Sequence, residues 1–288
     1  MGLRKKKATV YKRSVMDLPN LKQYRYDVLK VLSDSGGFAK VYWAIDYRTG
    51  LQVAIKEPRN PTPEQLKALE KEAQMYLYLS QKNEHITKLK DFIKMPNQDY
   101  LVMEFIDGWT LDEYQQKVAK GPIRDSIAVP LFLQILDAVG YIHRHGYVHK
   151  DIKPGNIMVR KEDMKVKMLD MGISAKLKDI NNNARAVGTP AFMPPEQFQK
   201  EQCGPYTDIF ALGVTLFCLL TYSLPFNGST TTEIWTKIKS GDIPDIHQVC
   251  PYVNPEFQPI IEKSLRPEPW LRYQTCAEMA RDVEKIKV

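Results

Sequence analysis

The stretch His149-Lys150-Asp151-Ile152-Lys153-Pro154-Gly155-Asn156, followed nineteen residues after Asp151 by Asp170-Met171-Gly172, decides how this chain is read. One carboxylate, Asp151, has a cation two positions on at Lys153 and an amide five positions on at Asn156. A second carboxylate, Asp170, lies just beyond a short apolar run. Between them, Ile157-Met158-Val159 and Val166-Lys167-Met168-Leu169 read as two strands of a hairpin turning through Lys161-Glu162-Asp163. Such a hairpin holds Asn156 and Asp170 at neighbouring ends. These are the parts that transfer of a γ-phosphoryl group needs: an acceptor for the nucleophile's proton, a cation near the moving group, and two oxygen ligands for magnesium. The bland alternative is a loop of solvated charges.

Working outward, Tyr24 to Lys56 alternates apolar and polar residues as strands do, in YRYDVLKVL and KVYWAIDY, and Arg48-Thr49-Gly50 turns the chain into LQVAIK. Thr62-Pro63-Glu64-Gln65 opens a helix with an N-cap, a proline at the first helical position and a capping-box glutamine. On that helix Ala68, Leu69, Glu72, Met75, Tyr76 and Leu79 share one face, so Glu72 interrupts an apolar stripe, where a carboxylate is costly unless paired. Tyr100-Leu101-Val102-Met103 is a further strand, and Ile127, Leu131, Ile135, Ala138 and Ile142 mark a long helix.

Composition bounds the answer. With 288 residues, 43% of them hydrophobic, the chain can bury a large core as one domain or two lobes. The longest apolar stretch, Ile209 to Leu220, holds twelve residues, too few to span a bilayer, and reads as a buried core helix. Cys203, Cys218, Cys250 and Cys276 form no C-x-x-C pair, which argues against a zinc site or a disulfide framework and points to a reducing cytoplasm. Of the net charge of +7, Arg4, Lys5, Lys6, Lys7, Lys12 and Arg13 supply six, leaving the rest nearly neutral. A basic end suits nucleic acid or anionic lipid as a partner, but a disordered, solvated end is the favoured reading.

Taken together, these stretches resemble the eukaryotic-type protein kinase superfamily, whose HRD-x-K-x-x-N and D-F-G motifs match at every charged position except Lys150 for Arg. Further matches are Val53-Ala54-Ile55-Lys56 to the V-A-I-K strand, Gly188 to Glu196 to the segment ending in A-P-E, and Asp208 to Gly213 to D-x-W-x-x-G. GTPAFMPPEQ and RYQTCAEM look most like the bacterial Ser/Thr branch. The resemblance implies an α+β, bilobal kinase fold. Residues 1–23 are then a basic tail and residues 24–286 the kinase domain, with a small β-rich N-lobe at 24–103, a hinge at 104–109 and a larger helical C-lobe at 110–286.

It also implies a set of roles. Asp151 and Lys153 are catalytic, and Asn156 and Asp170 hold magnesium, with manganese as the alternative ion. Leu32, Ser33, Gly36, Gly37, Val41, Ala54, Met103, Glu104, Ile106 and Met158 surround ATP. Among these, Gly36 and Gly37 belong to a degenerate glycine-rich loop for which an ordinary hairpin turn is the alternative, and Met103 is the gatekeeper. Lys56 reaches the α- and β-phosphates with Glu72 as its expected partner. His149, Glu196, Asp208 and Arg272 are structural, Arg272 pairing with Glu196, so the three histidines of YIHRHGYVH carry no metal site. Tyr76, Leu89, His149 and Met171 form an apolar spine in which Met171 replaces the usual Phe.

The activity implied is a Mg-ATP-dependent Ser/Thr protein kinase acting on protein hydroxyls. The alternative is a pseudokinase serving as a nucleotide-binding scaffold, which the worn glycine loop, Lys150 and Met171 favour. Against it, the five polar groups that contact phosphate or metal, Lys56, Asp151, Lys153, Asn156 and Asp170, are all present. A kinase of small molecules would have no need for the docking segment from Thr189 to Glu196. Between Ala175 and Gly188 the activation segment contains no Ser, Thr or Tyr.

Overall fold

The alternation between Tyr24 and Lys56 produces three strands, β1 (Tyr26–Ser33), β2 (Ala39–Asp46) and β3 (Gln52–Pro58). The structure is a computed structural model that describes residues 18–34, 39–59, 61–171, 174–176, 188–199 and 201–287. It divides into two compact units, one of residues up to Leu66 with Lys90–Phe105, the other of Lys67–Leu89 with Ile106 onward.

In the first unit, β4 (Leu89–Met95) and β5 (Gln98–Glu104) complete a five-stranded sheet ordered β1-β2-β3-β5-β4. Pairing is antiparallel from β1 through β3 to β5. Since successive side chains point to opposite faces, one face buries Tyr42, Ala44, Val53, Ile55, Tyr100 and Val102 as the unit's core. Leu21 is also buried there, and Leu18 and Tyr24 pack against it. The register puts Ser33, Val41, Lys56 and Leu101 in one row, and Trp43, Ala54 and Met103 in the next, on the other face.

Helix α1 (Pro63–Leu79) starts as its sequence dictates, with Thr62 N–H donating to Gln65 Oε1 at 3.0 Å and Gln65 N–H donating to Thr62 Oγ1 at 3.3 Å. Leu69, Glu72, Ala73, Met75, Tyr76 and Leu79 are its buried residues. The second unit continues with β6 (Gly108–Thr110), α2 (Leu111–Tyr114), α3 (Asp125–Arg144) and β7 (Tyr147–Val148). Then come β8 (Ile157–Arg160), β9 (Val166–Met168) and β10 (Ala175–Lys176), and the helices α4 (Pro195–Gln199), α5 (Pro205–Thr221), α6 (Thr231–Ser240), α7 (Ile246–Val249), α8 (Gln258–Ser264) and α9 (Cys276–Val283).

The hairpin read from the sequence is present, with Ile157 opposite Met168 and Val159 opposite Val166. Strand β6 adds to its free edge, Gly108 opposite Arg160. Only glycine fits there, because a Cβ on Gly108 would lie 2.3 Å from the Val159 carbonyl oxygen. The core of this unit joins α3 and α5, including Phe132, Ile135, Val139, Phe210, Leu212 and Phe217. The stretch from Ile209 to Leu220 is thus a buried core helix, as its composition predicts. Among the described residues α3, at 20 residues, is long and apolar enough to cross a membrane, but 61% of its most apolar window is buried in the protein.

Candidate active site

The loop from His149 to Asn156 follows β7 and ends in a 3-10 turn over Pro154–Asn156 that feeds β8. Within it, Lys153 Nζ donates to Asp151 Oδ2 at 2.9 Å and Asn156 Nδ2 donates to the same oxygen at 2.8 Å. Asn156 Nδ2 also donates to the Asp151 carbonyl at 2.8 Å, so both ends of the aspartate are tied to one amide. The other carboxylate oxygen, Oδ1, is buried and has no hydrogen-bond partner among the described residues. Leaving a buried acceptor unsatisfied costs about 1–3 kcal/mol.

Lys153 Nζ donates further to Thr189 Oγ1 at 2.7 Å, joining the loop to the segment that precedes α4. Leu169 N–H donates to the Asn156 carbonyl at 2.8 Å, which sets Asp170 one residue beyond Asn156's backbone partner. Asp170 adopts a left-handed backbone, φ 48°. Asn156 commits its amide nitrogen to Asp151, leaving the amide oxygen as its remaining polar atom. With the Asp170 carboxylate, this is an oxygen donor set of the kind that suits magnesium, a hard cation that takes one or two protein oxygens and completes its shell with water and phosphate. Among the described residues no group of three or more His, Cys, Asp or Glu is placed to hold a metal ion.

What holds the loop is Asp208, fully buried on α5. Its Oδ2 accepts from His149 N–H and is hydrogen-bonded to His143 Nε2, each at 2.8 Å, and its Oδ1 accepts from Lys150 N–H at 2.8 Å. Burial alone would push this carboxyl up, yet the His143 bond and the His149 amide hold it below the usual carboxylate value. Lys150 sits at φ 71°, a left-handed conformation uncommon for a residue with a side chain. Its carbonyl accepts from Gln197 Nε2 at 3.1 Å. His149 is buried, accepts from Asp151 N–H at Nδ1 (3.3 Å), and leaves Nε2 without a partner among the described residues. Arg272 grips Glu196 with both terminal nitrogens, at 2.8 and 2.9 Å.

Tyr76 and Met171 are buried and Leu89 half-buried. Met158 lies on β8, opposite Thr110 and Lys167, and Ile106 and Glu72 are buried. In the sheet unit, Val41, Ala54, Lys56 and Met103 share the face away from the core with Ser33, while Glu104 pairs with Val53 at the end of β5. Leu32 is exposed beside Ser33. Gly36 and Gly37 lie outside the described residues. Sequence reasoning missed the roles of His143 and Gln197. Nothing local marks Gln197, which simply follows Glu196.

Residues 26–283 match the family model described as the protein kinase domain. The chain is 32% identical over 265 residues to the serine/threonine-protein kinase PrkC of Bacillus subtilis, covering 90% of this chain and 40% of that protein. It is 31% identical over 283 residues to the serine/threonine-protein kinase PknB of Mycolicibacterium smegmatis, covering 94% of this chain and 44% of that one. Maternal embryonic leucine zipper kinase of Xenopus tropicalis is 31% identical over 260 residues, 89% of this chain and 38% of the relative. The chain thus spans about two fifths of the length of these relatives. With a family match across nearly its whole length, this chain belongs to the protein kinase domain family.

Proposed function

We propose that this chain is an active, Mg-ATP-dependent protein kinase that phosphorylates Ser and Thr hydroxyls of protein substrates. The observation that carries the reading is the asymmetry of Asp151: one carboxylate oxygen is held by Lys153 and Asn156, the other is buried and has no partner among the described residues. A base held at one oxygen, with the acceptor capacity of the other unspent, is oriented to take the proton of a substrate hydroxyl. As the acceptor oxygen bonds to the γ-phosphorus and the bridging bond to ADP breaks, the hydroxyl proton passes to Asp151 Oδ1. Lys153 stabilises the negative charge on the moving group, and its bond to Thr189 couples that charge to the segment where substrate docks. Asn156 and Asp170 offer oxygens to magnesium, which supplies neutralisation of the phosphate charge. In this reading Lys56 fixes the α- and β-phosphates, and Val41, Ala54, Met103 and Glu104 on the same sheet border the adenine. A reducing cytoplasm fits four buried cysteines with no disulfide among them.

The test is incubation of the purified chain with magnesium, radiolabelled ATP and a generic protein substrate. Label on Ser and Thr that vanishes in Asp151→Asn is the expected result. ATP binding without any transfer would replace this reading with the nucleotide-binding scaffold.

A further inference from the structure

We infer that Gln197 is a positioning residue for Asp151, acting through the backbone of Lys150; the inference rests on the kinase reading above. Lys150 occupies a left-handed conformation, φ 71°, that a residue with a side chain keeps only where its surroundings hold it. Both of its backbone polar groups are held. The N–H donates to Asp208 Oδ1 at 2.8 Å, and the carbonyl accepts from Gln197 Nε2 at 3.1 Å. That carbonyl belongs to the peptide plane shared with Asp151, so the Gln197 amide sets the angle at which Asp151 leaves its backbone.

The amide comes from a fixed support. Gln197 is 5% exposed on α4, directly after Glu196, whose carboxylate Arg272 clamps at 2.8 and 2.9 Å. Its seat depends on Gly188, where a Cβ would stand 3.2 Å from Gln197 Nε2 and 2.8 Å from Met193 Cε. A phosphate on the activation segment is one general way to order such a loop, and residues 175–188 contain no hydroxyl to carry one. A neutral amide, built into α4, holds the loop without it.

Two variants separate positioning from packing. Gln197→Glu keeps the shape but cannot donate while ionised and regains a donor when protonated; Gln197→Met keeps the volume and never donates. At about pH 8 both are expected to lower kcat roughly ten- to hundred-fold, the scale set by small misplacements of a catalytic group, with KM for ATP within about two-fold of the parent. As the pH falls toward about 5, near the ordinary glutamic acid pKa of about 4.3, the ratio of Gln197→Glu to parent should climb while that of Gln197→Met stays flat, as the restored donor requires. Amide exchange across residues 149–153 should quicken in Gln197→Met. Activities of both variants within about two-fold of the parent would overturn the inference. So would equal, pH-independent losses with unchanged exchange at 149–153, which assign Gln197 to packing alone. A parent that transfers no phosphate defeats the kinase reading instead; exchange at 149–153 then decides this one, faster in Gln197→Met if it holds and unchanged if it fails.

Discussion

Arg272 and Glu196 form a two-pronged ion pair at 2.8 and 2.9 Å in which both residues are only 2% exposed. Arg272 Nη1 also donates to the Tyr206 carbonyl, and Nη2 to that of Pro267, so its donors are spent on α4, on α5 and on the loop before the 3-10 turn Pro269–Leu271. Thr207 Oγ1 adds a donor to Glu196 at 3.0 Å. Removing one partner strands the other charge in a buried setting.

Arg272→Met is therefore expected to destabilise the helical unit by about 3–5 kcal/mol, read as a shift in the urea midpoint. Arg272→Lys should recover only part of the loss, because an ammonium lacks the fork that meets both oxygens. A midpoint within error of the parent would show that the pair is dispensable.

Asp151→Asn should leave ATP affinity nearly unchanged and lower kcat by roughly two to four orders of magnitude. Lys56→Ala should also lose turnover. Parallel ATP titration and steady-state assays check both, and near-parental turnover in Asp151→Asn would sink the assignment of the base.

Asp208 predicts an acid dependence whose sign is set. Its folded value lies below the ordinary carboxylate value, so it contributes stability above the unfolded pKa of about 3.9, and that contribution is lost as pH falls through the folded value. Asp208→Asn should cost about 3 kcal/mol near neutrality, since two backbone amides and His143 lose an ionised acceptor. Urea titrations at neutral and acid pH should show the gap between parent and variant narrowing in acid. A gap that widens in acid would contradict the lowered value.

Phosphatase treatment, with mass spectrometry to establish complete dephosphorylation, should leave activity on an external substrate intact. Residues 175–188 contain no acceptor, and the hydroxyls nearest them are already engaged, Ser174 with the His149 carbonyl at 3.2 Å and Thr189 with Lys153. A large loss reversed by rephosphorylating Ser174 or Thr189 would defeat this.

The sequence alone was enough for features whose cause is local or periodic. Alternation of period two divides Val53 and Ile55 from Ala54 and Lys56, and the sheet buries the first pair in its core while the second pair shares the other face. Thr62, Pro63 and Gln65 define a helix start through bonds that span three residues. The hairpin from Ile157 to Met168 is likewise a short-range object. Leu21 gave no such signal, because a single apolar residue ahead of the first strand has no period, and it is buried all the same. Tertiary structure alone decided what holds the loop from His149 to Asn156. Asp208 reaches His149 from 59 positions away, Gln197 reaches Lys150 from 47, and β6 joins β8 only where Gly108 lets two backbones meet. Such bonds are formed between groups that only packing brings within hydrogen-bonding distance of each other, and a donor and an acceptor carry no mark along the chain of the partner that burial will oblige them to find.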